Sequence, residues 1–311
     1  MDESKNIYVS SRGILKSCNY YSTTPRSSVK DLINYPDINN INNIENPVIY
    51  ICSSAIPQFI TNVLSSITVP FILVSGDCDE TIPHDIMTDE QFETFINNGL
   101  LAHWFCQNMV FKHNKITCIP IGLDYHTMTR SRVWGRIASA KDQEIILEGI
   151  KRSSLHFSNR PIKCYANFQF LMSTRYGTHD RRDAYDNIDK ELVYYEPNKI
   201  SRINTWHNQT NYAFVISPHG NGYDCHRTWE ALILGCIPIV KKSCIDVLYE
   251  ELPVLIVNEW KDITIELLQA TVACYQTKEF NYDKLNLKYW VDMIARAGTI
   301  CNVASDDNKK Q

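Results

Sequence analysis

The sequence predicts an α/β fold in which parallel sheets are covered by helices on both faces. Short apolar runs bounded by glycine or proline recur along the chain and are typical of buried strands. Segments with helical spacing separate these runs, and the same alternation occurs in both halves of the chain. A length of 311 residues is enough for about two domains.

The first half contains a series of strand and helix patterns. Strands are predicted at residues 47–52, 70–75, 100–105 and 116–121, although 100–105 could also form a short helix. Helices are predicted at 56–66 and 89–97. The next segment, 127–160, is rich in arginine, lysine and serine and contains one helical stretch at 138–150. We interpret it as the crossover between two domains, so the first domain is expected to span residues 1–150.

The second half repeats the alternation. Extended segments are predicted at 163–171, 212–217, 237–240 and 253–257, and helices at 227–234, 244–250 and 263–275. A last amphipathic helix is predicted at 287–297, followed by a polar, disordered tail. These patterns predict a second Rossmann-like domain over residues 151–285 and a separate C-terminal helix and tail over 286–311.

Composition excludes several classes of protein. A net charge of −4 and a pI near 6.1 argue against a nucleic-acid partner, because nucleic-acid binders are usually basic. No apolar run approaches the ~18 residues that a membrane span requires. The 11 cysteines include no C-x-x-C pair, which disfavours structural zinc and indicates the reduced thiols of a cytoplasmic protein.

One segment, residues 217–240, carries most of the functional information. It follows the predicted strand 212–217 and contains Gly220 and Gly222, which let the backbone turn tightly and approach a ligand. A helix is predicted to begin directly afterwards, with Asp224 as its N-cap. Free N–H groups and the dipole at a helix N-terminus both favour an anion, so this loop is a natural phosphate site.

The predicted helix carries an arginine and a glutamate on one face. Arg227 and Glu230 are three residues apart and are therefore neighbours on the helix surface. Arg227 can hold a diphosphate through two parallel hydrogen bonds, and Glu230 can accept hydrogen bonds from the ribose hydroxyls. The candidate donor-binding residues of this segment are Ser217, His219, Gly220, Asn221, Gly222, Asp224, Arg227, Thr228 and Glu230.

A simpler interpretation is an exposed arginine–glutamate pair beside an ordinary turn. The G-x-G pattern alone is weak, and Cys225 occupies the place of the third glycine of a dinucleotide fingerprint. No P-loop motif is present, which disfavours a P-loop NTPase. The strand before the loop and the Gly-Cys-Ile-Pro strand after it together favour the nucleotide site.

The run from Arg227 to Val240, R-T-W-E-A-L-I-L-G-C-I-P-I-V, resembles the donor-site signature of exostosin-like glycosyltransferases. The resemblance covers residues 211–260. It implies a GT-B fold, with two Rossmann-like domains facing each other across a cleft, and an inverting sugar transfer that needs no metal cofactor. It also implies that an arginine such as Arg182 neutralises the leaving diphosphate. The implied partners are a nucleotide sugar, with UDP expected as the nucleotide, and a glycan acceptor.

An inverting transfer requires a general base for the acceptor hydroxyl. Loops that follow strands of the first half contain Asp77, Asp79 and Asp124, and His126 lies beside the last of these. Because ligands bind beyond the carboxyl ends of parallel strands, these carboxylates are candidate bases, with Asp79 or Asp77 preferred. For each of them, capping of its own loop is an equally simple role.

Two other functions are compatible with the sequence. Asp77-Cys78-Asp79 matches the D-x-D pattern with which some glycosyltransferases hold Mn²⁺ or Mg²⁺ on a diphosphate, and it would indicate a single-domain GT-A fold. A carbohydrate- or nucleotide-binding module without turnover is the second alternative, since the many tyrosine and tryptophan residues suit sugar stacking. Turnover of a nucleotide sugar separates a transferase from such a module.

Overall fold

The computed structural model describes residues 3–172 and 179–307, with side chains as far as residue 298. The chain divides into two compact units. The N-terminal unit comprises residues 3–5, Val9–Ile121 and 286–307, and the C-terminal unit comprises Asn6–Tyr8 and Gly122–Leu285. Each unit has its own parallel sheet with helices, which confirms the predicted α/β class with two Rossmann-like domains.

In chain order, the helices and strands are α1 (Ser11–Lys16), β1 (Val48–Cys52), α2 (Ile56–Asn62), β2 (Phe71–Gly76), α3 (Asp89–Ile96), β3 (Leu101–Cys106), β4 (Ile116–Cys118), α4 (Tyr125–Arg130), α5 (Ala140–Ser153), β5 (Cys164–Ala166), α6 (Asp180–Asn187), β6 (Val193–Tyr195), α7 (Arg202–Gln209), β7 (Phe214–Ile216), α8 (His226–Ile233), β8 (Ile237–Lys241), β9 (Leu255–Val257), α9 (Ile265–Tyr275) and α10 (Leu287–Asp307).

The sheet of the N-terminal unit has the strand order β1-β2-β3-β4, and all its strand pairs are parallel. Every residue of β2 is buried, as expected for a strand covered on both faces. Helix α10 packs on β2 and β3, where a Cβ on Gly298 would lie 3.2 Å from Ile72 Cδ1. The strands of this sheet lie side by side in the same order as they occur in the sequence.

The sheet of the C-terminal unit has the order β6-β5-β7-β8-β9, again with parallel pairs throughout. Counted within the unit, this is the 2-1-3-4-5 order of doubly wound nucleotide-binding folds. The chain runs outward from β5 to β6 on one side, and from β7 through β8 to β9 on the other. The strand order thus reverses between β5 and β7.

The division between the units differs from the expected boundary at residue 150. Residues 122–153 belong to the C-terminal unit, where buried Glu144 of α5 ties several segments together. Its Oε1 accepts hydrogen bonds from the backbone of Ile7 at 2.7 Å and Tyr8 at 3.2 Å, and from Tyr125 Oη at 2.8 Å. The C-terminal helix is also not a separate element, since α10 completes the N-terminal unit.

Some elements differ from the sequence prediction. Helices α6 and α7 and the short strand β6 lie in a polar region where the sequence predicts no element. The predicted helix at 244–250 is a 3-10 turn over Asp246–Tyr249. The predicted final helix continues to Asp307, beyond the expected start of a disordered tail, and residues 308–311 lie outside the described part of the chain.

Candidate functional site

The reversal of strand order marks one edge of the C-terminal sheet as the place for a ligand. In open α/β sheets, ligands bind outside the carboxyl ends of the strands at the point where the order reverses. Phe168 follows β5 at this edge, and the glycine loop that begins at Ser217 follows β7. The topology therefore places the segment 217–240 at the edge of the sheet where the strand order reverses.

The glycine loop is held in place by its own polar groups. The hydroxyls of Ser217 and Thr228 are buried and hydrogen-bonded to each other at 2.8 Å, which ties the loop to α8. The backbone N–H of His219 donates to Asp180 Oδ2 at 2.8 Å. The N–H of Gly220 donates to the carbonyl of Gly222 at 3.1 Å, with Asn221 between them. These bonds pre-organise the loop, but they also use groups that were predicted to contact a donor.

Asp224 is not the N-cap of the following helix. The N-cap is Cys225, whose side chain makes no capping hydrogen bond. The Asp224 carboxylate is buried and accepts the indole N–H of Trp229 at 2.8 and 3.0 Å and Tyr249 Oη at 3.4 Å. A buried indole N–H requires an acceptor, so Asp224 anchors α8 to the turn that contains Tyr249.

Two arginines, Arg227 and Arg181, lie beside the glycine loop, and their two positive charges cannot neutralise each other. Arg227 Nη1 is buried and has no hydrogen-bond partner among the described residues, while its Cζ lies 5.4 Å from the ring centroid of Phe168. Arg181 Nε donates to the carbonyl of His219 at 3.1 Å. Burial lowers the pKa of Arg227 to about 10, and the charge of Arg181 acts in the same direction. An anion would relieve both effects.

The arginine of α6 at this edge is Arg181, and not the predicted Arg182. Arg182 is exposed and pairs with Asp186 one turn later, with Nε 3.3 Å from Oδ2. Arg181 reaches the loop, and its Nη2 lies 3.2 Å from the position that a Cβ on Gly220 would take. Successive helical residues point in different directions, and the two adjacent arginines in the sequence do not show which of them faces the sheet edge.

Glu230 is buried and pairs with Arg202, which the sequence analysis did not single out. Arg202 Nε lies 3.5 Å from Glu230 Oε1. The predicted neighbour, Arg227, makes no ion pair with Glu230 in the described structure. Arg202 begins α7 after the N-cap Ser201, whose hydroxyl accepts from Asn204 N–H at 3.2 Å. That serine cap was the available sequence signal for the helix and for an arginine at its first position.

Asp124 belongs to the C-terminal unit and serves as an ion-pair partner. It caps α4, accepting from Thr127 N–H at 3.0 Å, and lies 3.2 Å from Arg202 Nη2 and 3.1 Å from His126 Nδ1. Burial alone would raise the pKa of Asp124, but His226, Arg202 and His126 hold it well below its usual range. So acidic a carboxyl group is a weak base, which argues against the predicted catalytic role.

The two other predicted bases lie in the N-terminal unit, after β2. Asp77 is buried, with Oδ2 2.8 Å from Arg12 Nη2, and Oδ1 accepts from Ser27 Oγ at 3.0 Å. Its left-handed backbone, with φ of 61°, is supported by Gln107 Oε1, which accepts the Asp77 N–H at 2.9 Å. Asp79 is partly exposed in the bend that follows.

The D-x-D alternative does not fit this arrangement. A divalent cation on the Asp77 carboxylate would face the guanidinium of Arg12 at the same oxygen. The described residues contain no cluster of three or more histidine, cysteine or acidic side chains placed to hold a metal ion. The two-unit fold also contradicts the single-domain architecture that this alternative requires.

No model of a known protein family matches the chain, and no curated protein matches it. Among solved structures, the chain is similar to a crystal structure of alpha1,3-fucosyltransferase, with 12% identity over 80% of this chain and 88% of that chain and a TM-score of 0.37.

A second crystal structure, of alpha1,3-fucosyltransferase with GDP, matches with 11% identity over 81% of this chain and 89% of that chain, at a TM-score of 0.36. These matches do not confirm the exostosin-like resemblance. Within residues 3–172 and 179–307, no helix combines the length and the apolar character needed to cross a membrane.

Proposed function

We propose that the protein is a glycosyltransferase whose C-terminal unit binds a nucleoside diphosphate sugar. The observation that carries the proposal is the pair of arginines at the reversal of strand order. Arg227 has a buried Nη1 with no hydrogen-bond partner among the described residues, and Arg181 lies beside the same glycine loop. Arginine at a helix N-terminus opposes the helix dipole, so a negative charge such as a diphosphate would stabilise it there.

The proposed donor contacts divide between phosphate and ribose. The Arg227 and Arg181 guanidiniums present flat forks of N–H donors, which match phosphate oxygens and take up the charge of the leaving diphosphate. Glu230, oriented by Arg202, is proposed to accept hydrogen bonds from the ribose hydroxyls. We propose UDP as the nucleotide. GDP is the competing candidate, and the binding experiment compares the two.

For the chemical step, we propose single displacement with inversion. The acceptor hydroxyl oxygen forms a bond to the anomeric carbon while the bond from that carbon to the diphosphate breaks. The general base takes the hydroxyl proton, and the arginines take up the charge that develops on the diphosphate. We propose Asp79 as the base because it is partly exposed in a bend at the carboxyl end of β2.

The first test is thermal stabilisation by a panel of free nucleoside diphosphates. A ligand at 100 times its dissociation constant raises the free energy of unfolding by about 2.7 kcal/mol. We expect UDP or GDP to raise the melting temperature, and the matching nucleoside to have a much smaller effect. A panel in which no nucleoside diphosphate stabilises the protein would rule out the proposed donor site.

Turnover distinguishes the transferase from a binding module. The nucleotide that stabilises the protein is tested as its sugar conjugates, with release of the nucleoside diphosphate as the measured product. Hydrolysis of one sugar conjugate that is faster with the protein than without it supports the transferase. Tight binding without release of nucleotide from any conjugate would favour the non-catalytic module.

Gly220→Ala tests the close approach of the loop and Arg181. The new methyl group would lie 3.2 Å from Arg181 Nη2 and 3.4 Å from Cys225 Sγ, so the guanidinium must move. We expect the protein to fold normally and to bind the nucleoside diphosphate about tenfold more weakly, the loss of one charged hydrogen bond. Gly149→Ala, on an open face of α5 with nothing within 4 Å of the new methyl group, is the matched control. Equal affinity of both variants would place the phosphates away from this loop.

A further inference from the structure

All three guanidinium nitrogens of Arg202 face oxygen atoms of Asp124 or Glu230 in the C-terminal unit. Nη1 donates to the backbone carbonyl of Asp124 at 2.7 Å, and Nη2 donates to Asp124 Oδ2 at 3.2 Å. Nε faces Glu230 Oε1 at 3.5 Å. The Arg202 side chain is 10% exposed, and its Cζ lies 5.3 Å from the ring centroid of Trp134. Arg202 is therefore fixed in one orientation.

This arrangement takes the place of a local pairing that the helix spacing allows. Arg227 and Glu230 are three residues apart on α8, the spacing at which opposite charges pair on a helix surface. The field of Glu230 reaches Arg227, where it partly offsets the lowering of the pKa by burial. The carboxylate is nevertheless held by Arg202, and within residues 3–172 and 179–298 the buried Nη1 of Arg227 has no hydrogen-bond partner.

We propose that Arg202 is a positioning residue that holds Glu230 away from Arg227 and so keeps the Arg227 guanidinium available for a diphosphate. The proposal rests on the proposed function and adds the reason for the unpaired charge. Without the fork of Arg202, the Glu230 carboxylate turns to Arg227, forms the local pair and competes with phosphate for the same donors.

Arg202→Lys is the variant of choice. Lysine keeps a positive charge for buried Asp124 but loses the planar fork that reaches two carboxylates at once. The probe is inorganic pyrophosphate, which contains no ribose and therefore reports on the phosphate contacts alone. We expect the lysine variant to bind pyrophosphate about tenfold more weakly than the wild type, within the range of coupling between contacting residues.

The decisive measurement is rescue by a second substitution. Glu230→Gln removes the competing charge, so Arg202→Lys combined with Glu230→Gln is expected to regain most of the lost pyrophosphate affinity. The single Glu230→Gln variant completes the double-mutant cycle, and Arg182→Lys on exposed α6 is the control. A merely structural role of Arg202 predicts no rescue, because the second substitution repairs no packing.

Three results would overturn the inference. Arg202→Lys with wild-type affinity shows that Arg202 does not protect Arg227. A double variant as weak as Arg202→Lys shows that Glu230 is not the competitor. Wild-type protein that binds neither pyrophosphate nor any nucleoside diphosphate overturns the proposed function and this inference with it, whereas the first two results leave that function standing. If Arg202→Lys does not fold, Arg202→Gln with Asp124→Asn removes both buried charges together and takes its place in the cycle.

Discussion

Arg227→Met is expected to weaken binding of a nucleoside diphosphate by about 10- to 150-fold, the loss of a charge-assisted hydrogen bond of ~1.5–3 kcal/mol. Methionine retains the length and apolar stem of the arginine and can pack against Phe168. The affinity is measured by isothermal titration with UDP and GDP. The loss should be confined to phosphate-bearing ligands.

The same substitution is expected to make the free protein more stable. The Arg227 guanidinium is poorly compensated, since burial and the charge of Arg181 lower its pKa to about 10. A lowered pKa of a cationic group means that the charged form destabilises the fold at every pH below about 10. Removing the charge should raise the free energy of unfolding by about 1 kcal/mol, as measured by urea unfolding at pH 7.

A stabilised protein with impaired binding is the signature of a group retained for its ligand. Arg182→Met provides the control, since that side chain is exposed and pairs with Asp186 one turn along the same helix. It should change neither affinity nor stability appreciably. Arg227→Met protein that is less stable yet binds UDP and GDP as the wild type does would identify Arg227 as a structural residue.

Asp124→Asn is expected to destabilise the C-terminal unit by about 3 kcal/mol at pH 7, because it removes one member of a buried ion pair. Asparagine keeps a side-chain oxygen for the cap of α4 but leaves Arg202 with Glu230 as its remaining carboxylate. Urea unfolding followed by tryptophan fluorescence measures the change. Asp186→Asn, which disrupts an exposed pair, should have an effect of at most about 1 kcal/mol.

The effect of Asp124→Asn should depend on pH in a defined direction. The folded protein holds the pKa of Asp124 below its ordinary value, so its stabilisation is present above the unfolded pKa of about 3.9 and is lost as the pH falls below it. The difference between variant and wild type should be constant from pH 7 to pH 5 and shrink near pH 3.5. A difference that stays constant down to pH 3.5 would show that Asp124 is not held by its cationic neighbours.

Much of the region around residues 217–240 could be predicted because its information is local. The apolar strand β7, the two glycines and the helix α8 follow one another within a short stretch, and each has a sequence signal of its own. The position of Arg227 on α8 was predicted in this way. The ion pairs around Glu230 could not be found, since Arg202, which pairs with Glu230, and Asp124, which pairs with Arg202, are remote in sequence and meet only in the folded unit.

The errors within the site have a common physical origin. Asp224 has the right residue type and position for an N-cap, but the buried indole of Trp229 competes for its carboxylate and wins. Arg181 and Arg182 are equivalent in sequence, and only the packing of α6 distinguishes the arginine at the loop from the exposed one. Tertiary contacts decide between alternatives that local propensity leaves equal.

The strand order of the C-terminal sheet could not be predicted from the sequence. Strand β6 has three residues at a sheet edge, and its pairing with β5 is what produces the reversal beside β7. Polar helices α6 and α7 flank it, and α6 has weak apolar periodicity. The sequence predicted a nucleotide segment, but the topological reason for its location required the sheet.

The return of α10 to the N-terminal unit limits how the protein can be dissected. Trp290 and Ile294 of this helix are buried, and the helix packs on β2 and β3. A recombinant fragment that ends near residue 285 would expose the apolar surface of those strands and should aggregate. Neither half can therefore be produced by a single cut in the gene. A fragment that contains the N-terminal unit would have to join residues 286–307 to residue 121 through an added linker. A protease would have to cleave the chain more than once to separate the N-terminal unit from the C-terminal unit.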